Sequence, residues 1–91
     1  MGELAAGEQG TDRATDRVVV YARVGCHLCE VARDVVAQVA ADAGVAWREV
    51  DVDADPELTA RYGELVPAVT VDGVLVDHWR IDPVRLRRAL G

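Results

Sequence analysis

No stretch of the 91-residue sequence approaches the roughly 18 consecutive apolar residues that a membrane-spanning helix needs, so the sequence calls for no membrane anchor. Residues 1–16, MGELAAGEQGTDRATD, have neither the positive n-region nor the apolar h-region of a secretory signal, which points to the cytoplasm. Lysine is absent, and arginine supplies all ten basic side chains against 16 acidic ones, for a formal charge of −6 at pH 7. That balance argues against nucleic acid as a partner, because binding through phosphates needs a clustered positive surface. The only basic concentration, Arg85, Arg87 and Arg88, falls in the last expected helix, where cations near the carboxyl end complement the macrodipole. Internal repeats are also lacking. Cysteine is scarce, with only Cys26 and Cys29, separated by two residues in the stretch VGCHLCE. Structural disulfides seldom persist in a reducing compartment, so a C-x-x-C there points to catalysis or to metal binding.

What is present is the composition of an ordinary globule, 51% hydrophobic and 29% charged, with length for one domain and a small core. Residues 1–16, rich in Gly, Ala, Glu, Asp and Thr without sustained periodicity, read as a flexible tail, and residues 17–91 as the domain. Val18–Ala22 is a short β-branched run suited to a strand covered on both faces. From Leu28 to Ala43 apolar residues recur every three or four positions, the pattern of an amphipathic helix, with Gly44 as its natural stop. Val45–Val52 reads as a second strand, completing a right-handed parallel βαβ unit. Asp55 and Pro56 then open a short helix that Gly63 ends. Asp72-Gly73 between Ala68–Val71 and Val74–Val76 is the signal of a type I′ hairpin, and Asp82-Pro83 opens a final helix through Leu90. The order βαβ-α-ββα gives an α/β fold, a four-stranded mixed sheet with helices on both faces.

This order places Cys26 at the amino end of the first helix and Cys29 on its first turn. A cysteine at a helix N-terminus faces free backbone N–H groups and the positive end of the dipole, which favour the thiolate, the attacking species. Cys29 is then near enough to attack a mixed disulfide formed on Cys26, which makes resolution intramolecular. Two other readings stay open. Cys26, His27, Cys29 and His78 reach the ligand count of a zinc site, although His27 between the cysteines has little freedom to complete a tetrahedron with both. A binding module that kept the fold without redox chemistry is the second; Trp47, Tyr62 and Trp79 read as packing rather than a ligand platform.

From Val18 to Leu90 the chain resembles the glutaredoxin branch of the thioredoxin superfamily, and within it the small divergent glutaredoxin-like proteins of bacteria. The resemblance rests on the C-x-x-C after the first strand, on Asp51-Val52-Asp53 with Asp55-Pro56-Glu57-Leu58, and on Val66-Pro67 ahead of the hairpin. It implies a thioredoxin fold and thiol–disulfide exchange with Cys26 as nucleophile and Cys29 resolving. It also implies a cis Val66-Pro67 bond, with the backbone of Val66 offered to an extended substrate; a trans proline opening a strand is the plain alternative. Arg23 stands where glutaredoxins often have a basic residue for a glutathione carboxylate, or else is a solvated arginine. His27 adds positive charge beside the sulfurs or faces solvent, and with Leu28 it completes the candidate substrate-binding set of Arg23, His27, Leu28, Val66 and Pro67. No bound cofactor is required, and glutathione or another low-molecular-weight thiol serves as reductant. The implied partners are a disulfide-bearing protein or small-thiol substrate and a reductase or thiol donor, acting on a monomer. Some glutaredoxins bridge an iron–sulfur cluster between two chains through the same cysteines. Asp77–Asp82 holds no glycine where glutaredoxins carry a Gly-Gly pair for glutathione.

Overall fold

The computed structural model describes residues 16–91. The expected N-terminal tail therefore lies outside the described residues, except for Asp16, which opens the first strand. That strand, β1 (Asp16–Ala22), runs parallel to β2 (Ala46–Asp51) and antiparallel to β3 (Ala68–Val71), which pairs antiparallel with β4 (Val74–His78). The sheet order is β2-β1-β3-β4, with β1 and β3 inside. Three helices complete the fold: α1 (His27–Ala43), α2 (Pro56–Tyr62) and α3 (Pro83–Leu90).

The alternation of side chains along β1 divides the core in two. Val18, Val20 and Ala22 face α1 and α3, where they pack with Val69 and Val71 of β3, Ala32, Val36 and Val39 of α1, and Leu86 of α3. On the opposite face Ala68 packs with Val52 and Tyr62, and the rings of Tyr21 and Tyr62 stack with centroids 4.2 Å apart. Both inner strands are thus covered on both sides, which is why β1 and β3 are near-continuous apolar runs.

Local chemistry sets the element ends. The Asp55 carboxylate accepts the Glu57 N–H at 2.8 Å and the Asp82 carboxylate accepts the Val84 N–H at 2.9 Å, so each Asp-Pro pair caps a helix as its sequence requires. Asp72 and Gly73 both have positive φ, 52° and 86°, the geometry that a type I′ turn demands. The second strand is shorter than the expected Val45–Val52, because at its far end the Asp51 carboxylate accepts the Asp53 N–H at 2.9 Å and draws Val52–Ala54 into a 3-10 turn. Gly63 ends α2 with an ordinary helical φ of −56°. It is a glycine for want of room: a Cβ there would overlap the Thr59 carbonyl oxygen and press on the Arg23 guanidinium.

The candidate active site

Cys26 is the N-cap of α1, with extended backbone (φ −94°, ψ 114°). Its sulfur accepts the backbone N–H of Cys29 at 3.2 Å, and its carbonyl accepts the N–H of Glu30 at 3.3 Å. A thiol here does what Ser or Asp does at other helix starts: it satisfies one of the orphan donors of the first turn. Both cysteines are free thiols, and their surroundings differ. Cys26 is half-buried, whereas Cys29 is fully enclosed within the core between α1 and the sheet. Burial pushes the Cys29 thiol up, from 9.0 to about 11, and its hydrogen bond with Cys26 adds to the rise, against an opposing backbone N–H from Arg23. One sulfur is accessible and held by the helix end; its neighbour is hidden and held as a thiol.

The Arg23 guanidinium, half-exposed, is engaged from three sides. Its Nε donates to Asp53 at 2.9 Å, one terminal nitrogen donates to the other oxygen of Asp53 at 3.2 Å, and the second donates to the Gly63 carbonyl at 3.3 Å. Arg23 thereby ties the segment that leads into Cys26 to the 3-10 turn and the end of α2, and it holds the Asp53 carboxyl below the usual carboxylate range. His27 points outward, with its Nδ1 3.9 Å from the Glu30 carboxylate. Leu28 is 39% exposed beside it, and Val31, one turn later, is 47% exposed.

Ahead of β3, the Val66–Pro67 bond is cis. Pro67 is fully buried, and Val66 is half-buried and packs against both core clusters. The Pro67 carbonyl accepts the backbone N–H of Trp79 at 2.8 Å, which fastens this loop to the end of β4. Trp79 has a φ of 64°, the left-handed region that favours glycine, and the sequence carries no signal of it. Asp77 is the second residue whose part is not legible from sequence. A bulge at Val76 breaks the β3–β4 register, so Asp77 turns inward, and its carboxylate accepts the backbone N–H groups of His78 at 3.0 Å and Asp82 at 2.8 Å. It also holds Arg85 at 3.3 Å, so the loop from His78 to Asp82 is organised by one buried carboxylate.

Two concavities flank the first turn of α1. The first, about 410 Å³, opens on Cys26 and is lined by Arg23, Glu30, Arg33, Glu49 and Asp51, with Arg33 donating to Glu49 at 2.6 Å across it. The second, about 310 Å³, lies on the other flank between α1 and the loop after β4. Among the described residues, no three His, Cys, Asp or Glu side chains come together in a set able to hold a metal ion. His78 instead meets the Trp79 ring edge-on, with centroids 4.7 Å apart. No helix of the described residues is long and apolar enough to cross a membrane.

Comparison with known proteins gives the same frame. The family profile described as Glutaredoxin-like domain (DUF836) matches residues 17–91. A protein of Mycobacterium tuberculosis named only as uncharacterized is 30% identical over 76 residues, 78% of each chain. Among solved structures, one from X. campestris is 35% identical with a TM-score of 0.67, covering 80% of this chain and 93% of its own. Another, from Nitrosomonas europaea, is 26% identical with a TM-score of 0.72, covering 82% and 91%. Thioredoxin of Fasciola hepatica, at 23% identity and a TM-score of 0.57 over 94% and 90% of the two chains, shares the fold alone. With its four-stranded mixed sheet, its three helices and its Cys26–Cys29 pair at the mouth of the first of them, the chain belongs to the glutaredoxin-like domain family and has the thioredoxin fold.

Proposed function

We propose that this protein is a thiol–disulfide oxidoreductase in which Cys26 attacks and Cys29 resolves. The observation that carries the reading is the 3.2 Å hydrogen bond from the Cys29 N–H to the Cys26 sulfur at the amino end of α1. That contact fixes the half-buried Cys26 sulfur at the mouth of the first turn, within one helical turn of the second sulfur and open to a substrate.

In the proposed cycle the Cys26 thiolate attacks one sulfur of a disulfide R–S–S–R′. A bond forms between Cys26 and that sulfur, the S–S bond breaks, and R′S⁻ leaves with the electron pair. Cys29 then gives up its proton to a departing thiolate and attacks Cys26, the protein closes its own disulfide, and RS⁻ is expelled. Two electrons and the Cys29 proton have passed from the Cys26 thiolate–Cys29 thiol pair to the substrate, which leaves as one thiol and one thiolate, the latter taking its proton from water. The elevated pKa of Cys29 keeps the resolving sulfur protonated at neutral pH, so its proton must be taken up before it attacks.

The substrates in this reading are disulfides of proteins or of low-molecular-weight thiols. Electrons return from glutathione, another small thiol or a reductase, and no resident cofactor takes part. The protein works as a cytoplasmic monomer without nucleic-acid or membrane partners. Val66 and Pro67 border the substrate on one side, and His27 and Leu28 on the other. Arg23 acts through the loop it fixes, since Asp53 and Gly63 take up its guanidinium. The test is turnover of a model disulfide by Cys26→Ser and Cys29→Ser: the first loses all activity, and the second stops at a mixed disulfide. Wild-type turnover by both variants contradicts the reading.

A further inference from the structure

The concavity on the far flank of α1 has a chemistry of its own. Its 310 Å³ are walled by Leu28 and Val31 from the helix and by Trp79, Arg80 and Ile81 from the loop after β4, with His27 at the rim. Trp79 is 54% exposed, a large apolar surface to leave in water. Its position is nonetheless fixed at several points. The backbone N–H is bonded to the Pro67 carbonyl at 2.8 Å, the indole N–H donates to the Glu64 carbonyl at 3.0 Å, and the ring is braced by His78. All this holds a bulky residue in the left-handed backbone region, at a φ of 64°. Such a conformation persists only when its surroundings over-determine it, and it concentrates at functional clefts.

The charge at this trough is unlike that of the chain as a whole. Its lining includes Arg80 and no carboxylate, on a protein of net charge −6. Among the described residues Arg80 forms no ion pair. A rigid, exposed tryptophan loses little conformational freedom when it is covered, which makes it an efficient anchor for a protein partner.

We propose that this trough, beside the reactive pair, binds an extended segment of a protein disulfide, seating an apolar side chain against Trp79 and Leu28 and an acidic one at Arg80. The proposal rests on the oxidoreductase reading and names the substrate class: a protein segment, apolar and acidic next to its cysteine. A small, highly charged thiol offers nothing to the apolar wall.

The test uses the full-length protein and three disulfides: a peptide whose cysteine is flanked by leucine and glutamate, the same peptide flanked by glycine and glutamine, and bis(2-hydroxyethyl) disulfide. The wild type is expected to reduce the first peptide with kcat/KM about tenfold above the second, the size of effect that one buried anchor supplies. Trp79→Gly removes the ring and leaves a residue at ease with positive φ. It is expected to bring the ratio of the two peptides near one, and a ratio taken within one variant is indifferent to any common loss of activity. Arg80→Gln is expected to lower the ratio in part and to abolish its dependence on salt. A ratio near one in the wild type, or an unchanged ratio in Trp79→Gly, overturns the inference, as does self-association that covers Trp79 at assay concentration. If the hydroxyethyl disulfide is reduced while the peptides are not distinguished, this inference alone fails. If none of the three is reduced, the oxidoreductase reading fails and takes the inference with it.

Discussion

The backbone N–H of Cys29 points at the sulfur of Cys26 from 3.2 Å, so the residue assigned to close the disulfide also supports the sulfur assigned to open it. The two thiols share one helical turn and have opposite surroundings, Cys26 accessible and Cys29 enclosed. Sequence spacing sets their proximity; packing sets the asymmetry.

That asymmetry should appear in alkylation. At pH 7 the reduced protein is expected to take up iodoacetamide first at Cys26, with Cys29 modified only after a long lag. Raising a thiol from 9.0 to about 11 leaves about a hundredfold less thiolate, and burial slows access further. Mass mapping of peptides after timed quenching reads the order directly, and in denaturant the two sites should react alike.

The same shift gives a pH dependence with a definite sign. Folding keeps the Cys29 proton bound to higher pH than in the unfolded chain, so its contribution to stability is whole below about pH 9 and is lost as the pH rises through about 11. Urea midpoints of the reduced wild type and of Cys29→Ala, measured from pH 8 to pH 11, should therefore differ by an amount that changes only in the alkaline part of the range. A constant difference would mean that Cys29 ionises in the folded protein as it does in the unfolded one.

Core packing leads to a larger and pH-independent effect. Leu86 is 1% exposed and is the buried anchor of α3 against α1 and the sheet. Leu86→Ala should cost about 2–5 kcal/mol, measured as a shift in the denaturation midpoint at unchanged slope.

Gly63→Ala probes the frame that holds Arg23. The added Cβ meets the Thr59 carbonyl and the Arg23 guanidinium, so the end of α2 or the Arg23–Asp53 contact must give way. The variant should lose about 1–3 kcal/mol, the usual range for overpacking, whereas Gly63→Ala at an open helix end would cost nothing or stabilise. Backbone amide exchange of the 3-10 turn at Val52–Ala54 should quicken in parallel.

Much of this molecule could be read before its structure. The Asp-Pro pairs at 55–56 and 82–83 and the Asp72-Gly73 turn are local signals whose chemistry stays within a few residues, and the structure uses them as written. The helix after Cys26 is legible because its apolar period runs through 16 of its 17 residues, Leu28–Ala43. Residues whose roles depend on distant partners were not legible. Arg23 gives no hint that Asp53, 30 positions later, and the Gly63 carbonyl occupy its guanidinium. Asp77 faces inward only because a bulge at Val76 shifts the register, and Trp79 takes a glycine-like backbone only because Pro67 and Glu64 hold it there. Gly63 reads as a helix stop, which it is, but its reason is the lack of room between the Thr59 carbonyl and the distant Arg23 guanidinium.

The most direct test of the account is the intact mass of reduced Cys29→Ser after incubation with a disulfide substrate. The account predicts a stable adduct of one substrate half, mapped to Cys26 and released by dithiothreitol, while Cys26→Ser accumulates none. No adduct on Cys29→Ser, or an equal one on Cys26→Ser, would contradict the assignment of Cys26 as the attacking sulfur.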